Sequence, residues 1–320
     1  MTPSHPYDLE AAIMDFFTLK STDRKTCDTT AEQLVGGRAA PVAIQGNCSY
    51  TVYAGPQAEF VVQFRPKSLS LTLGNNKIAR RIHGPLVPEI DECCQLGDED
   101  QGEPLIVYIM PRMQGTSYLD FTRMNAMPNN SKEMKACRKA LMADAAKFFS
   151  TSWKSPQPVT VDFRKNLEYK FCEDLALLSE RLPSRFSPSV QKCLDSMERV
   201  LSLPAVLLHN DFSTANIIVD EISCSLVGVL DWGEAGICTF GQNLHFIQNL
   251  TCQLDPNEGW KPLDDFGALQ TTFWATLQDE AGGLPAETME TIKIASVMGL
   301  LLYRGLYPTP STYAHAYADL

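Results

Sequence analysis

Long apolar runs are missing from this chain. The longest of interest, Ile294 to Tyr303, has ten residues, about half of the ~20 that a membrane-spanning helix needs. Nor is there a leader pattern: Asp8 and Glu10 stand where a secretory signal requires a basic start and an apolar core, so export is not expected. Positive charge is scarce, with 27 Lys and Arg against 38 Asp and Glu, a formal charge of -11 and a pI near 5.0. Such a surface repels phosphate backbones and anionic lipid, so neither nucleic acid nor a membrane is an expected partner. The ten cysteines form no CxxC pair and no His/Cys metal spacing, which points to a reduced, cytoplasmic protein with ordinary thiols. Gly-x4-Gly-Lys-Ser/Thr, Gly-x-Gly-x-x-Gly after a strand and His-Glu-x-x-His are absent, excluding P-loop, dinucleotide-binding and zinc-protease readings. What is present is a globular composition, 320 residues with 44% hydrophobic and 20% charged. That is enough for a large core in two domains, or in one domain with two lobes.

Periodicity changes along the chain. Leu9, Ile13, Phe16 and Phe17 fall on one helical face, and a second short helix ends at Gly36-Gly37. Tyr50 to Tyr53 and Phe60 to Phe64 read as strands around the Gly55-Pro56 turn, and Leu105 to Met110 as another. Ile78 to Ile82 read as a short helix carrying Arg80 and Arg81. Met134 to Trp153, Val161 to Leu182 and Ser189 to Leu203 have helical periodicity, broken at Pro156 and Pro183. A small strand-rich part therefore gives way to a larger helical part near residues 111–120. The apolar Val297 to Leu306 helix reads as core, and His5, His83, His245 and His315 as scattered core or surface residues.

The most informative stretch runs from Val206 to Asp231. An apolar strand delivers His209 and Asp211 into a loop. Asn216 follows five residues after Asp211 and enters a second strand, Ile217 to Val219. A third strand, Leu226 to Leu230, ends in Asp231-Trp232. His-x-Asp-x4-Asn followed by a strand and an Asp is the pattern of phosphoryl transfer. A transferred phosphoryl group carries concentrated negative charge, so a metal must be held by a carboxylate and an amide at fixed separation. A second carboxylate must accept the proton of the attacking hydroxyl. Asn216 and Asp231 suit the metal, Asp211 suits the base, and a neutral His209 suits orientation of the loop backbone. No Ala-Pro-Glu follows Asp231-Trp232-Gly233, which excludes a protein kinase.

On these residues the chain resembles the aminoglycoside phosphotransferase and choline kinase superfamily, whose loop reads close to His-Gly-Asp-x4-Asn and whose metal Asp precedes Trp. Asp231-Trp-Gly-Glu-Ala is similar to the pattern of fungal members, as are Gln45-Gly-Asn-Cys-Ser-Tyr and Phe60-Val-Val-Gln-Phe-Arg65. The resemblance implies an α+β, protein-kinase-like two-lobed fold: residues 1–40 as an N-terminal helical extension, 41–113 as a nucleotide-binding N-lobe with a small antiparallel sheet, and 114–320 as a larger helical C-lobe. It further implies ATP and Mg²⁺ as cofactors and a small-molecule acceptor as partner. Gly46 and Ser49 would lie in the turn over the phosphates, and Arg65 would take the place of the phosphate-binding lysine, as its forked donors allow. Met110, within the hinge Tyr108 to Met113, would meet the adenine, and Gly115 would begin the C-lobe. Glu234, Asp264 and Asp265 are candidates for recognising a cationic acceptor. One departure stands out: no acidic residue occurs between Phe60 and Pro88, and Ala79-Arg80-Arg81 replaces the Ala-Arg-Glu of fungal relatives. The expected activity is transfer of phosphate to a hydroxyl or amine of a metabolite. Two alternatives stand beside it: a pseudokinase-like nucleotide-binding or scaffolding protein, and a kinase fold redeployed for other chemistry.

Overall fold

A computed structural model of the chain describes residues 7–46, 48–124, 127–255 and 259–306; His5 and His315 lie outside them. The chain forms two compact units, Met1–Lys77 with Pro88–Met113, and Ile78–Val87 with Gln114–Leu320.

The first unit opens with α1 (Leu9–Phe17) and α2 (Arg24–Val35). Asp8 and Asp23 start them, their carboxylates accepting the N–H groups of Ala11 and Thr26, which satisfies donors that a helix start otherwise leaves bare. An antiparallel sheet follows, built from β1 (Ala40–Pro41), β2 (Tyr50–Ala54), β3 (Phe60–Pro66), β4 (Asp91–Leu96) and β5 (Leu105–Pro111) in the order β1-β2-β3-β5-β4. Alternation in β2 turns Tyr50, Val52 and Ala54 inward, and the register sets Tyr50 opposite Phe64 and Val52 opposite Val62. The helices of the N-terminal extension pack on this sheet: Ile13, Cys27 and Ala31 share a core with Tyr50, Val52, Phe64, Leu105 and Val107. A sheet with an apolar face needs a covering layer, and α1 and α2 supply it. Strand β4 leaves little trace in the sequence because it is an exposed edge, Asp91-Glu-Cys-Cys-Gln, bulged between Glu92 and Cys94. Charge and bulges of this kind discourage pairing with foreign strands.

Helix α3 (Leu73–His83) contributes residues from Ile78 onward to the second unit. That unit continues with β6 (Thr116–Ser117), α4 (Tyr118–Met124), α5 (Lys132–Trp153), α6 (Val161–Arg181), α7 (Ser187–Asp195) and α8 (Met197–Ser202). The single helix expected over 189–203 is two, divided at Ser196, whose φ of -105° and ψ of 6° leave the helical path. Next come β7 (Ala205–Leu208), β8 (Ile217–Val219), β9 (Leu226–Val229) and β10 (Gly236–Thr239), then α9 (Gln248–Thr251), β11 (Cys252–Asp255), β12 (Gly259–Pro262), α10 (Phe266–Glu280) and α11 (Ala286–Leu306). β7 pairs with β10, β8 sits between β6 and β9, and β11 pairs with β12. Gly115 has φ 106°, and a Cβ there would come 2.4 Å from the carbonyl oxygen of Val219, so glycine lets β6 reach β8. Phe148, Phe149, Phe212 and Phe273 pack ring against ring in the core. Among the described residues no helix is long and apolar enough to cross a membrane.

Helix α11 lies against the Gln242 backbone at Gly299, where a Cβ would stand 1.7 Å from the Gln242 carbonyl oxygen. Gly299→Ala forces the helix off its seat, and overpacking of this sort costs typically about 1–3 kcal/mol. Urea unfolding should show a loss in the upper part of that range or beyond; a midpoint equal to that of the parent would contradict this packing.

Candidate active site

Strand β7 ends at Leu208, and the three residues after it have distinct tasks. His209 is buried, 1% exposed. Its Nδ1 accepts the backbone N–H of Asp211 at 3.2 Å, and its Nε2 lies 2.7 Å from the carbonyl oxygen of Leu230. A carbonyl can only accept, so Nε2 carries the proton and the ring is neutral. Burial pushes its pKa down to about 4. The edge of Trp232 meets the same ring at 4.6 Å, and the indole N–H donates to Val229. Asn210 follows with φ 59°, a left-handed conformation that Asn tolerates better than most residues with a Cβ. Its Nδ2 donates to the Glu234 carbonyl at 3.0 Å.

Asp211 is half-buried, and Asn216 Nδ2 donates both to its Oδ2 at 2.7 Å and to its backbone carbonyl at 3.0 Å. The Asp211 carboxyl is held above the usual range, first by burial and then by the negative charge of Asp231. Asp231 lies two residues beyond β9 rather than at its end, with φ 57°. It is exposed, and Gly233 N–H donates to its Oδ1 at 3.4 Å. The second unit thus gathers His209, Asp211, Asn216, Asp231 and Glu234. Asn216 spends its N–H groups on Asp211, so its Oδ1 is what it has left to offer a metal, and Asp231 supplies a carboxylate whose charge is felt at Asp211. Two hard oxygen donors suit Mg²⁺, which takes its remaining ligands from water and phosphate. Among the described residues no group of three or more His, Cys, Asp or Glu could hold a metal, so any metal here depends on an amide and on ligands from outside the protein.

Other expected site residues are placed as follows. In the first unit, Ser49 is buried and accepts from Gln63 Nε2 at 3.1 Å. Gly46 needs no special conformation: a Cβ there would lie 3.7 Å from Ser49 Oγ. The turn is held instead by Gln45, whose side chain bonds the backbone of Val42 and Thr51. Arg65 donates Nε to the Leu69 carbonyl at 2.9 Å, and Met110 pairs with Val61 on β5. Arg80 donates to the Val87 and Gly84 carbonyls beyond the end of α3, which gives this arginine a local structural task. Asp264 and Asp265 are held in ion pairs: Arg138, 3% exposed, binds both, and Lys135 also binds Asp264. Their charge is consumed in fastening α5 to the head of α10.

The sequence does not mark a further feature, a cavity of about 170 Å³ that opens beside Asp211 and Ser213 and is walled by His245, Trp260, Tyr303 and Arg304. These residues are brought together from three separate stretches, and only His245 was visible as a chemically distinctive residue, expected to be core or surface.

A family model described as phosphotransferase enzyme family matches residues 45–256. The chain belongs to this family. It is a small-molecule phosphotransferase. No curated protein matches the sequence. Solved structures resemble it at low identity: the GDP complex of aminoglycoside 2'-phosphotransferase-IIIa, 15% identical over 87% of this chain and 88% of that one, with a TM-score of 0.56; and the Plasmodium vivax ethanolamine kinase, 12% identical over 98% and 93%, with a TM-score of 0.53. A GDP and kanamycin complex, 15% identical over 87% and 89%, gives 0.51. These likenesses confirm the kinase-like α+β fold. The His-Gly-Asp of the phosphotransferase family becomes His209-Asn210-Asp211 here, and the left-handed φ of Asn210 explains why asparagine can replace glycine.

Three histidines of this phosphotransferase are buried neutral: His209 and His245 have pKa values pushed down to about 4 and His83 to about 3, in each case chiefly by burial. Between the ordinary histidine value of about 6.5 and these depressed values, the unfolded chain binds more protons than the folded one, so stability falls as pH is lowered through that window. Thermal unfolding should show Tm declining from pH 6.5 towards 4. His83→Phe keeps the stack on Phe148 (4.0 Å, 16°) and should flatten the decline; an unchanged slope would contradict the assignment.

Proposed function

We propose that the protein is an ATP- and Mg²⁺-dependent kinase that phosphorylates a hydroxyl or amine of a small molecule. The observation that carries this reading is the Asp211–Asn216 hydrogen bond beside Asp231, held in place by His209. Asp211 would take the proton of the acceptor as it attacks. A carboxylate whose pKa is raised by burial is a better proton acceptor than an exposed one. Asn216 orients that carboxylate through Nδ2 and offers Oδ1 to the metal, with Asp231 as the second ligand. A divalent cation at this place would neutralise charge on the transferring phosphoryl group. The negative charge of Asp231 near Asp211 also supports this reading, since a cation between two carboxylates relieves their repulsion. Arg65, Ser49 and Met110 remain the proposed nucleotide contacts of the first unit. The absence of an acidic residue between Phe60 and Pro88 favours a second reading, nucleotide binding without transfer.

Asp211→Asn retains size and an oxygen to accept from Asn216, yet cannot take a proton. It should lower transfer of phosphate from ATP, assayed as slow hydrolysis before the acceptor is known, by about 10²–10⁴-fold. ATP–Mg²⁺ affinity should change little. No turnover in either parent or variant would establish the second reading instead, and equal, measurable turnover in both would rule out Asp211 as the base. Metal binding is tested separately. ATP with Mg²⁺ should raise thermal stability by about 2.7 kcal/mol at a hundredfold excess over Kd. Asp231→Ala should remove the Mg²⁺-dependent part, and an equal shift in EDTA would rule out the metal role.

A further inference from the structure

Five buried aromatic rings of the second unit close into a circuit. His83 stacks on Phe148 at 4.0 Å and 16°, and Phe148 lies 5.4 Å from Phe212. Phe212 meets His209 edge to face at 6.3 Å, and His209 meets Trp232 at 4.6 Å. Trp232 completes the circuit at 5.5 Å from His83. Rings whose centroids lie within about 7 Å of one another are in contact, and they favour offset or edge-to-face arrangements.

The backbone ties this circuit to the chemistry. Phe212 directly follows Asp211, the proposed base, and Trp232 directly follows Asp231, the proposed metal carboxylate. Asp211 is steadied by Asn216 at 2.7 Å. Asp231 is exposed and receives the Gly233 N–H at 3.4 Å, a weak hold. Its φ of 57° is a conformation that a residue with a Cβ keeps only when its surroundings impose it. Trp232 is placed to impose it. The indole N–H donates to the Val229 carbonyl at 3.0 Å, and the ring is enclosed by His83, Phe148 and His209.

Of the five rings, His83 alone comes from α3. The turn after it, Gly84–Leu86, lies against β9, the strand that leads to Asp231. Helix α3, Leu73–His83, contains no acidic residue, so its influence on a metal site must pass through packing.

We propose that His83 is a positioning residue for the metal site: its ring holds Trp232 against His209 and so fixes the backbone that aims the Asp231 carboxylate. The inference rests on the reading of Asp231 as a Mg²⁺ ligand given above. It gives a helix without a carboxylate a role in a phosphotransferase, since the helix supports the metal ligand from behind.

Three variants of the full chain test it. His83→Ala removes the ring, and His83→Phe keeps one of similar shape. Leu277→Ala opens a gap on α10, in the same core but outside the circuit, and reports loss of packing in general. Removing the support behind a metal ligand typically weakens metal affinity by about 10–100-fold. His83→Ala should therefore raise the Mg²⁺ concentration at half-maximal ATP binding, read by calorimetry, at least about tenfold. His83→Phe and Leu277→Ala should match the parent. A second readout needs neither metal nor nucleotide. The Trp232 indole N–H, identified in NMR spectra through Trp232→Phe, should lose its protection from hydrogen exchange in His83→Ala and keep it in His83→Phe. Should His83→Ala not fold, His83→Leu keeps the bulk without a flat face and carries the same expectations. The proposal is overturned if His83→Ala keeps the parent's Mg²⁺ midpoint, if Leu277→Ala raises it equally, or if His83→Phe fails to restore it. ATP binding by the parent that ignores Mg²⁺ defeats the metal reading and this proposal with it. A Mg²⁺-dependent parent with an unmoved midpoint in His83→Ala defeats this proposal alone.

Discussion

The site depends on one imidazole with two bonds. His209 accepts from the Asp211 backbone through Nδ1 and faces the Leu230 carbonyl through Nε2, so a single buried ring fastens the loop after β7 to the end of β9. Those two loops carry the proposed base and the proposed metal carboxylate. Neither strand hydrogen-bonds to the other, since β7 pairs with β10 and β9 with β8. The imidazole supplies the connection that the sheets do not. It can do so only while neutral, because protonation would convert Nδ1 from acceptor to donor and set it against the Asp211 N–H. Burial keeps it neutral, and the edge of Trp232 closes the ring in.

A second tie, Asn210 to the Glu234 carbonyl, joins the same loops a few residues further on. Both Asn210 and Asp231 occupy left-handed backbone, a conformation that persists away from glycine only when the surroundings hold it. The result places like charges near one another. Asp211, Asp231 and Glu234 all bear on the same small region, and the Asp211 carboxyl resists ionisation partly for that reason. Such an arrangement is unfavourable for stability alone and makes sense as a receptor for positive charge.

The cavity beside Asp211 is built on the same economy of contacts. The Gln242 carbonyl orients His245 through Nδ1, and Gly299 lets α11 lie directly against that carbonyl. One backbone oxygen therefore sets both the helix position and the tautomer of the ring facing the cavity. Helix α11 then carries Tyr303 and Arg304 to the wall.

Much of this was legible in the sequence because it is local. His209, Asp211, Asn216 and Asp231 lie within 23 consecutive residues, and their spacing along strands and a loop is the signal itself. Strong alternation made β2 and β3 readable, and helical periodicity made α1, α5 and α6 readable. The edge strand β4 escaped because a solvent-facing strand carries no alternation. The break at Ser196 escaped because the residues around it keep helical spacing. Roles set by partners far along the chain could not be read. Asp264 and Asp265 look like free carboxylates in sequence, and only the fold brings Arg138 to them across more than a hundred residues. Arg80 reads in sequence only as a charge on a short helix, and only the end of α3 shows its carbonyl partners. The cavity wall joins His245, Trp260 and Tyr303 by packing alone. Sequence determined the chemistry of the loop, because covalent spacing sets which groups can meet there; tertiary structure decided what the site faces, because burial and long-range contact have no signature in spacing.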